Sequence, residues 1–432
     1  MPRPDAQKRS LLERAFAAAV EAADPERIPA DLLPPVPAGR LAVVGAGKAA
    51  GRMAKAVERH YRDVPSLEGL VIVPDGALEE RDSLPRRIEV AAASHPIPDV
   101  RGVAATRRIL DLVHGYGPDD QVVVVLSGGG SSLLVAPEGI DLAQKTELTR
   151  SLLRSGARIE EINTVRKHLS KVKGGRLALA ASPARTTALV LSDVVGDDLS
   201  AVASGPSVAD PTTFADALEV LVRYEIKAPG ARRVLEQGIA GRLPETPKPG
   251  DPRLAGAATA LIGNNQASLE AAAELLRDVG YEASILSSVV VGEAREVGRV
   301  HAAIARQVAE RGEPFTPPCA LLSGGETTVT VRAAGRGGRN SEFALGLALE
   351  LPERSPIWAL AADTDGRDGS EHNAGVLVTP ELLTSLDRRA ARASLEANDS
   401  YAVFADSGHL LVSGPTGTNV NDLRIILIDP SG

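Results

Sequence analysis

At 432 residues, with 44% hydrophobic, 24% charged and only 3% aromatic residues, the chain is too long for one ordinary core, and two soluble domains packed mostly with Ala, Val and Leu are expected. The formal net charge of −8 gives no electrostatic reason to bind nucleic acid or anionic lipid, and the shortage of aromatics argues against a stacking platform for single strands. A single cysteine, Cys319, excludes an internal disulfide and a cysteine zinc cluster; no apolar run is long enough to span a bilayer, and no signal-peptide core opens the chain, so a cytoplasmic protein is expected.

Residues 7–24 have a helical apolar period, followed by a proline-rich linker. LAVVGAGKAAGRMAKAVERHY, from Leu41 to Tyr61, predicts strand, glycine turn and helix. GLVIVPDG (69–76) and RIEVAAASHPIPD (87–99) predict two more strands, and a helix runs from about Val100 to His114. QVVVVLSGGGSSLL (121–134) predicts a central strand and its loop. Residues 141–181 are helical in pattern, and TTALVLSDVVGDD (186–198) is a strand running into an acidic loop. GRLPETPKPGDPR (241–253) is the best candidate boundary, giving domains 1–240 and 241–432. ATALIGNN, YEASILS, CALLSGGETTVTV, SPIWALAADTDG, AGVLVTP and LRIILID supply the later strands. The alternation predicts an α/β chain of two three-layer α/β/α domains with largely parallel sheets, the first Rossmann-like. VVGAGKAAGRMA and LIGNNQASLEAA echo each other, as a weak internal repeat or as convergent α/β wiring.

The chemistry concentrates at two Ser-Gly-Gly segments. Strands that end in glycine leave backbone N–H groups free to face an anion, with no side chain in the way. Ser127, Gly128, Gly129, Gly130 and Ser131 form the first candidate loop; Ser323, Gly324, Gly325 and Glu326 form the second. GAGKAAG fits a loose dinucleotide fingerprint through Gly45, Gly47 and Ala50, with Asp75 available for a ribose. Lys48 inside it opposes the helix dipole unless it reaches an anion. His95, between prolines in SHPIPD, either contacts substrate or belongs to a rigid turn. Arg166 and Lys171 lie in a basic run that reads either as a ligand surface or as a solvated helix face. Asp193, Asp197 and Asp198, and again Asp363, Asp365 and Asp368, follow strands, where carboxylates suit Mg²⁺ bridging phosphate oxygens or accept a hydroxyl proton. Surface turns favour the same residues. Arg336, Arg339 and Asn340 open a glycine-rich helix start, and Thr416 and Asn419 sit in a loop of small polar residues.

Taken together, GAGKAA, SHPIPD, LSGGGSSLL, INTVRKHLSKVKGGRLA, LSDVVGDDLSAVASGP, SGGETTVTV, GRGGRNSE, TDGRDG and GPTGTNVND resemble the class II glycerate kinases along nearly the whole chain, with a MOFRL region at about 316–425. The stretch TDGRDGSEHNAGV departs locally, carrying Arg367 and His372. The resemblance implies ATP-dependent, Mg²⁺-assisted phosphorylation of D-glycerate to 2-phosphoglycerate in a cleft between two domains, by a monomer or homodimer. It makes Lys48 and one of Arg336 and Arg339 the principal catalytic cations and leaves open which arginine. Two other readings stand: an NAD(P)-dependent hydroxypyruvate or tartronate-semialdehyde reductase, and a non-enzymatic sugar-acid sensor.

Overall fold

Strands rich in Val, Ile and Leu without alternation suit burial on both faces. The structure, a computed structural model, describes residues 4–77 and 84–430. Its contacts divide the chain into residues 25–262 and a second unit that joins the N-terminal helix to the chain from Gly263 onward. The division thus falls beyond the Pro-Gly segment at 241–253, and the first helix is not part of the first domain as the sequence suggested.

In the first unit, β1 (Leu41–Ala46), β2 (Leu67–Pro74), β3 (Glu89–Ala93), β4 (Gln121–Leu126), β5 (Arg185–Leu191) and β6 (Ala257–Gly263) lie in the order β3-β2-β1-β4-β5-β6. The β1–β2, β2–β3, β1–β4 and β4–β5 pairs are parallel. Every residue of β1 and β4 is buried, as their apolar runs require. This is the order of doubly wound nucleotide-binding sheets, whose ligand crevice opens at the strand C-termini where the order reverses, here between β1 and β4. Helices Leu142–Arg154, Ile159–His168, Phe214–Arg223 and Pro229–Ile239 build a separate apolar cluster within the same unit. Asp141 starts the first of them with a capping box, accepting from Gln144 N at 2.7 Å while Gln144 Oε1 accepts from Asp141 N at 3.1 Å.

In the second unit, β7 (Glu282–Glu293), β8 (Cys319–Thr328), β9 (Ile357–Asp363), β10 (Gly375–Val378), β11 (Leu410–Leu411) and β12 (Asp422–Ile428) lie in the order β11-β10-β9-β12-β8-β7. The expectation of a largely parallel sheet fails here. Only β7–β8 is parallel, and the β12–β8, β12–β9, β10–β9 and β10–β11 pairs are antiparallel. Sequence pattern reports burial, not strand direction, so the reversal was not visible. Helix Pro4–Ala22 buries Leu12, Ala15, Phe16 and Ala19 in one cluster with Leu269, Ala272 and Leu276 of helix Asn265–Asp278. Ser268 Oγ donates to Ala19 O at 2.8 Å, and Trp358 Nε1 to Asp5 Oδ1 at 2.7 Å. Among the described residues, no helix is long and apolar enough to cross a membrane.

Candidate functional site

The crevice between β1 and β4 brings the first predicted loop against the GAGK turn. Gly45 and Gly47 take φ of 150° and 145°, and a Cβ on either would lie 1.9 Å from Val125 O or 2.1 Å from Ser127 Oγ. Only glycine lets the two strand ends approach so closely. The turn is tied down by Lys48 N donating to Gly128 O at 2.8 Å and Ala49 N donating to Ser127 Oγ at 3.0 Å. Ser127 is therefore a structural acceptor of this turn, while the Lys48 side chain is exposed.

Gly129 has φ 81°, and a Cβ there would stand 2.9 Å from the His95 ring and 3.6 Å from Lys48 Cγ. A Cβ on Gly128 would stand 2.2 Å from Asp193 Oδ2. The glycine loop thus has Lys48, His95 and Asp193 around it, three expected residues drawn from distant parts of the sequence. Burial first, and the Lys48 charge second, lower the His95 pKa and favour neutral imidazole. Asp99 of SHPIPD accepts from Arg101 N and Gly102 N and caps helix Val100–His114, so the motif serves structure as well. Asp75 is bound bidentately by Arg101 at 2.7 Å to each oxygen, an exposed pair that a ribose hydroxyl would have to compete with.

The basic run separates into different environments. Lys167 Nζ meets Asp210 Oδ1 at 3.5 Å, and His168 Nε2 meets Glu245 Oε1 at 3.0 Å. Lys171 is exposed, and its N donates to Ala136 O at 2.8 Å. Arg166 is half-buried and donates to Asn163 Oδ1 at 3.5 Å. Ser131 Oγ is 2.9 Å from Ser204 Oγ, which donates to the same Asn163 Oδ1 at 3.1 Å.

The second unit corrects the second glycine site. Ser323, Gly324 and Gly325 are not a loop but the interior of β8, paired with β12 on one side and with β7 on the other. Their amides serve the sheet. A Cβ on Gly324 would meet Asn265 Oδ1 at 1.7 Å, and one on Gly325 would meet Val290 O at 2.3 Å, so close packing explains these glycines. Ser323 Oγ lies 3.0 Å from His301 Nε2 in the interior.

Antiparallel pairing places Asp422, the first residue of β12, beside both Gly325 of β8 and Asp363 of β9. Arg339, the first residue of helix Arg339–Glu350, spans the row. Its Nε donates to Asp422 Oδ1 at 2.6 Å, one terminal nitrogen to Asp363 Oδ2 at 2.6 Å and the other to Glu326 Oε1 at 2.8 Å. Burial opposes the Arg339 charge, but Asp422, Asp363 and Glu326 outweigh it and raise its pKa. Burial and the Asp365 charge push Asp363 upward, while Arg339 opposes them. Asn340 Nδ2 also donates to Asp422 Oδ1, at 2.8 Å. Asp368 accepts from Asn340 N and Ser341 N at 2.9 and 2.8 Å and so closes the helix start. Arg336 is exposed, its guanidinium 4.8 Å from the Tyr401 ring centroid. Thr416 Oγ1 donates to Thr364 O at 2.6 Å, and Asn419 Oδ1 accepts from Asn421 N at 3.0 Å, so both brace their loop.

Among the described residues, no group of three or more His, Cys, Asp or Glu is placed to hold a metal ion. Asp193, beside the glycine loop, fits the one-carboxylate share of a Mg²⁺ otherwise held by phosphate and water. Asp197 lies in the turn beyond it, at φ 55°. Asp363 does not fit that role: one oxygen is held by Arg339 and the other accepts from Asp365 N at 3.1 Å. Asp365 Oδ1 in turn accepts from Arg367 N at 2.9 Å. Sequence reasoning missed Asp422 and Arg424. The available signal was charge inside DLRIILID: Arg424 is fully buried and donates to Asp422 Oδ2 at 2.5 Å.

Residues 11–236 match the domain of unknown function DUF4147, and residues 319–422 match the MOFRL family. The chain belongs to the glycerate kinase family that joins these two domains. A D-glycerate 2-kinase of Thermotoga maritima is 42% identical over 430 residues, covering 98% of this chain and 99% of that protein. A crystal structure of a glycerate kinase from the same organism matches with a TM-score of 0.88 at 41% identity, covering 98% of this chain and 99% of that one. An Agrobacterium vitis protein named "Putative hydroxypyruvate reductase" is 49% identical over 431 residues, covering 98% of this chain and 95% of the relative.

Proposed function

We propose that this chain transfers the γ-phosphoryl group of ATP to the 2-hydroxyl of D-glycerate, giving 2-phospho-D-glycerate. The observation that carries the reading is the Lys48–His95–Asp193 arrangement around the glycine loop at the β1/β4 crevice, in a chain 42% identical to a D-glycerate 2-kinase. Phosphoryl transfer demands positioning and charge neutralisation more than covalent chemistry. Lys48 supplies the mobile cation. Gly128, Gly129 and Gly130 leave room for phosphate oxygens. His95, favoured as neutral imidazole, accepts a hydrogen bond from the substrate hydroxyl. Asp193 is the residue that would hold Mg²⁺, which neutralises phosphate charge when bound. Arg339, tied to three carboxylates, orders the second unit, and Arg336 is the arginine exposed for a ligand.

Mixing protein, D-glycerate, ATP and Mg²⁺ should release ADP, with phosphorus–proton NMR placing the phosphate on C2. The reductase reading is supported by the name of the Agrobacterium relative and opposed by the engagement of Asp75 with Arg101. Oxidation of NADH by hydroxypyruvate, with no ADP from glycerate, would establish it instead.

A further inference from the structure

Two cations of the first unit, the buried Lys145 and the half-buried Arg166, have no counter-ion among the described residues. Lys145 is 6% exposed, and its ammonium makes no hydrogen bond or ion pair among the described residues. It lies on the buried face of helix Leu142–Arg154, three residues before Leu148 and seven before Leu152. Arg166 is a half-buried residue of helix Ile159–His168, and its one polar contact among the described residues is the 3.5 Å approach to Asn163. Lys173, 1% exposed, adds a third nitrogen but is committed to Ala203 O at 3.0 Å.

The three feel one another. Burial, and then the Arg166 charge, bring Lys145 down to about 8. Burial and the charges of Lys145 and Arg166 hold Lys173 well below the usual lysine range. Cations that serve structure look different in this chain: the adjacent Lys167 has Asp210. Burying like charges together without a carboxylate is unfavourable unless an anion arrives. The edge of the cluster is polar and belongs to the glycine loop, since Ser131 joins Ser204 and Asn163. Beside Ser131 the chain holds Ala203 and Ser204 at φ 50° and 61°, a left-handed turn that non-glycine residues adopt only when their surroundings enforce it.

We propose that Lys145 and Arg166, with the hydroxyl of Ser131, form the subsite for the carboxylate of the hydroxy-acid substrate. The proposal rests on the glycerate reading above. A nucleotide triphosphate fits less well, because it arrives with a divalent cation and this cluster offers donors and no carboxylate. A metal-free carboxylate needs only those donors.

The test uses the full chain with Lys145→Met and Arg166→Met. Removing a charge-assisted bond to a carboxylate should raise KM for D-glycerate by about 30- to 100-fold, leaving KM for ATP within about threefold. The melting temperature of each ligand-free variant should equal or exceed that of wild type, because repulsion is relieved. D-glycerate should stabilise the wild type against heating and fail to stabilise the variants, whereas inorganic phosphate and ADP should act on all three alike. Three outcomes overturn the subsite: an unchanged glycerate KM, a selective loss of the phosphate or ADP effect, or variants destabilised without ligand. The melting readout does not need turnover. A wild type stabilised by glycerate but producing no ADP would refute the kinase reading and leave the subsite standing.

Discussion

Replacing Arg339 by Met tests whether this arginine organises the second unit. Met keeps most of the volume and removes the charge that three carboxylates share. Asp422 and Asp363 have side chains only 0% and 8% exposed, whereas Glu326 is 48% exposed. The Glu326 pair should therefore contribute about 0–1 kcal/mol. Asp422 keeps Arg424 and Asn340, so Asp363 is the buried carboxylate left without a cation; where it is ionised this should cost about 3–5 kcal/mol, or roughly 10 °C in melting temperature for a unit of this size. Asp363 is already pushed from 3.8 to about 8, mainly by burial, and Arg339 is the group opposing that shift. A carboxylate with a raised folded-state pKa keeps its stability contribution at acid pH and loses it as pH rises through the folded value. Losing Arg339 raises that value further, so the two native states differ in Asp363 protonation only above it, and the variant's deficit should widen as pH rises above about 8 and stay level below it. Trp358 is the only tryptophan and lies in β9, so its fluorescence during denaturant unfolding reports on this unit. Arg336→Met, at an exposed site, should leave the curve unchanged. A deficit below about 1 kcal/mol, or one independent of pH, would refute the assigned role of Arg339.

Lys48→Met should lower turnover by about 10²–10³-fold with little change in melting temperature, and turnover within a few-fold of wild type would remove Lys48 from the mechanism. Gly129→Val combines a left-handed φ of 81° with a Cβ 2.9 Å from His95, so it should abolish activity while far-UV circular dichroism stays close to native. Gly325→Val should instead unfold the second unit, seen as a shifted Trp358 transition, because the new Cβ strikes Val290 O inside the sheet. Asp193→Asn should raise the Mg²⁺ concentration needed for half-maximal ADP formation. An unchanged metal titration would assign Asp193 a structural role.

The sequence by itself determined the α/β class, the central buried strands and the first glycine loop. Those features are local: an apolar run, a glycine pair and a following helix constrain one another within a few residues, and QVVVVLSGGGSSLL contains them all. It also identified Lys48, His95 and Asp193 as separate candidates. Only tertiary structure decided that they meet, because β1 and β4 are neighbours at the reversal of strand order while lying eighty residues apart. The two Ser-Gly-Gly segments look alike as text and differ in space. In the first, glycine opens a turn at a strand end; in the second, it lets Asn265 and the β7 backbone press against β8. Arg339 was legible as a candidate arginine, but its three partners were not, since their convergence depends on β12 running antiparallel to both neighbours. The basic run shows the same limit. One stretch of sequence sends Lys167 to an aspartate, Lys171 to solvent and Arg166 toward an unpaired lysine, because helical geometry points successive residues in different directions and only the surrounding chain determines what each one meets.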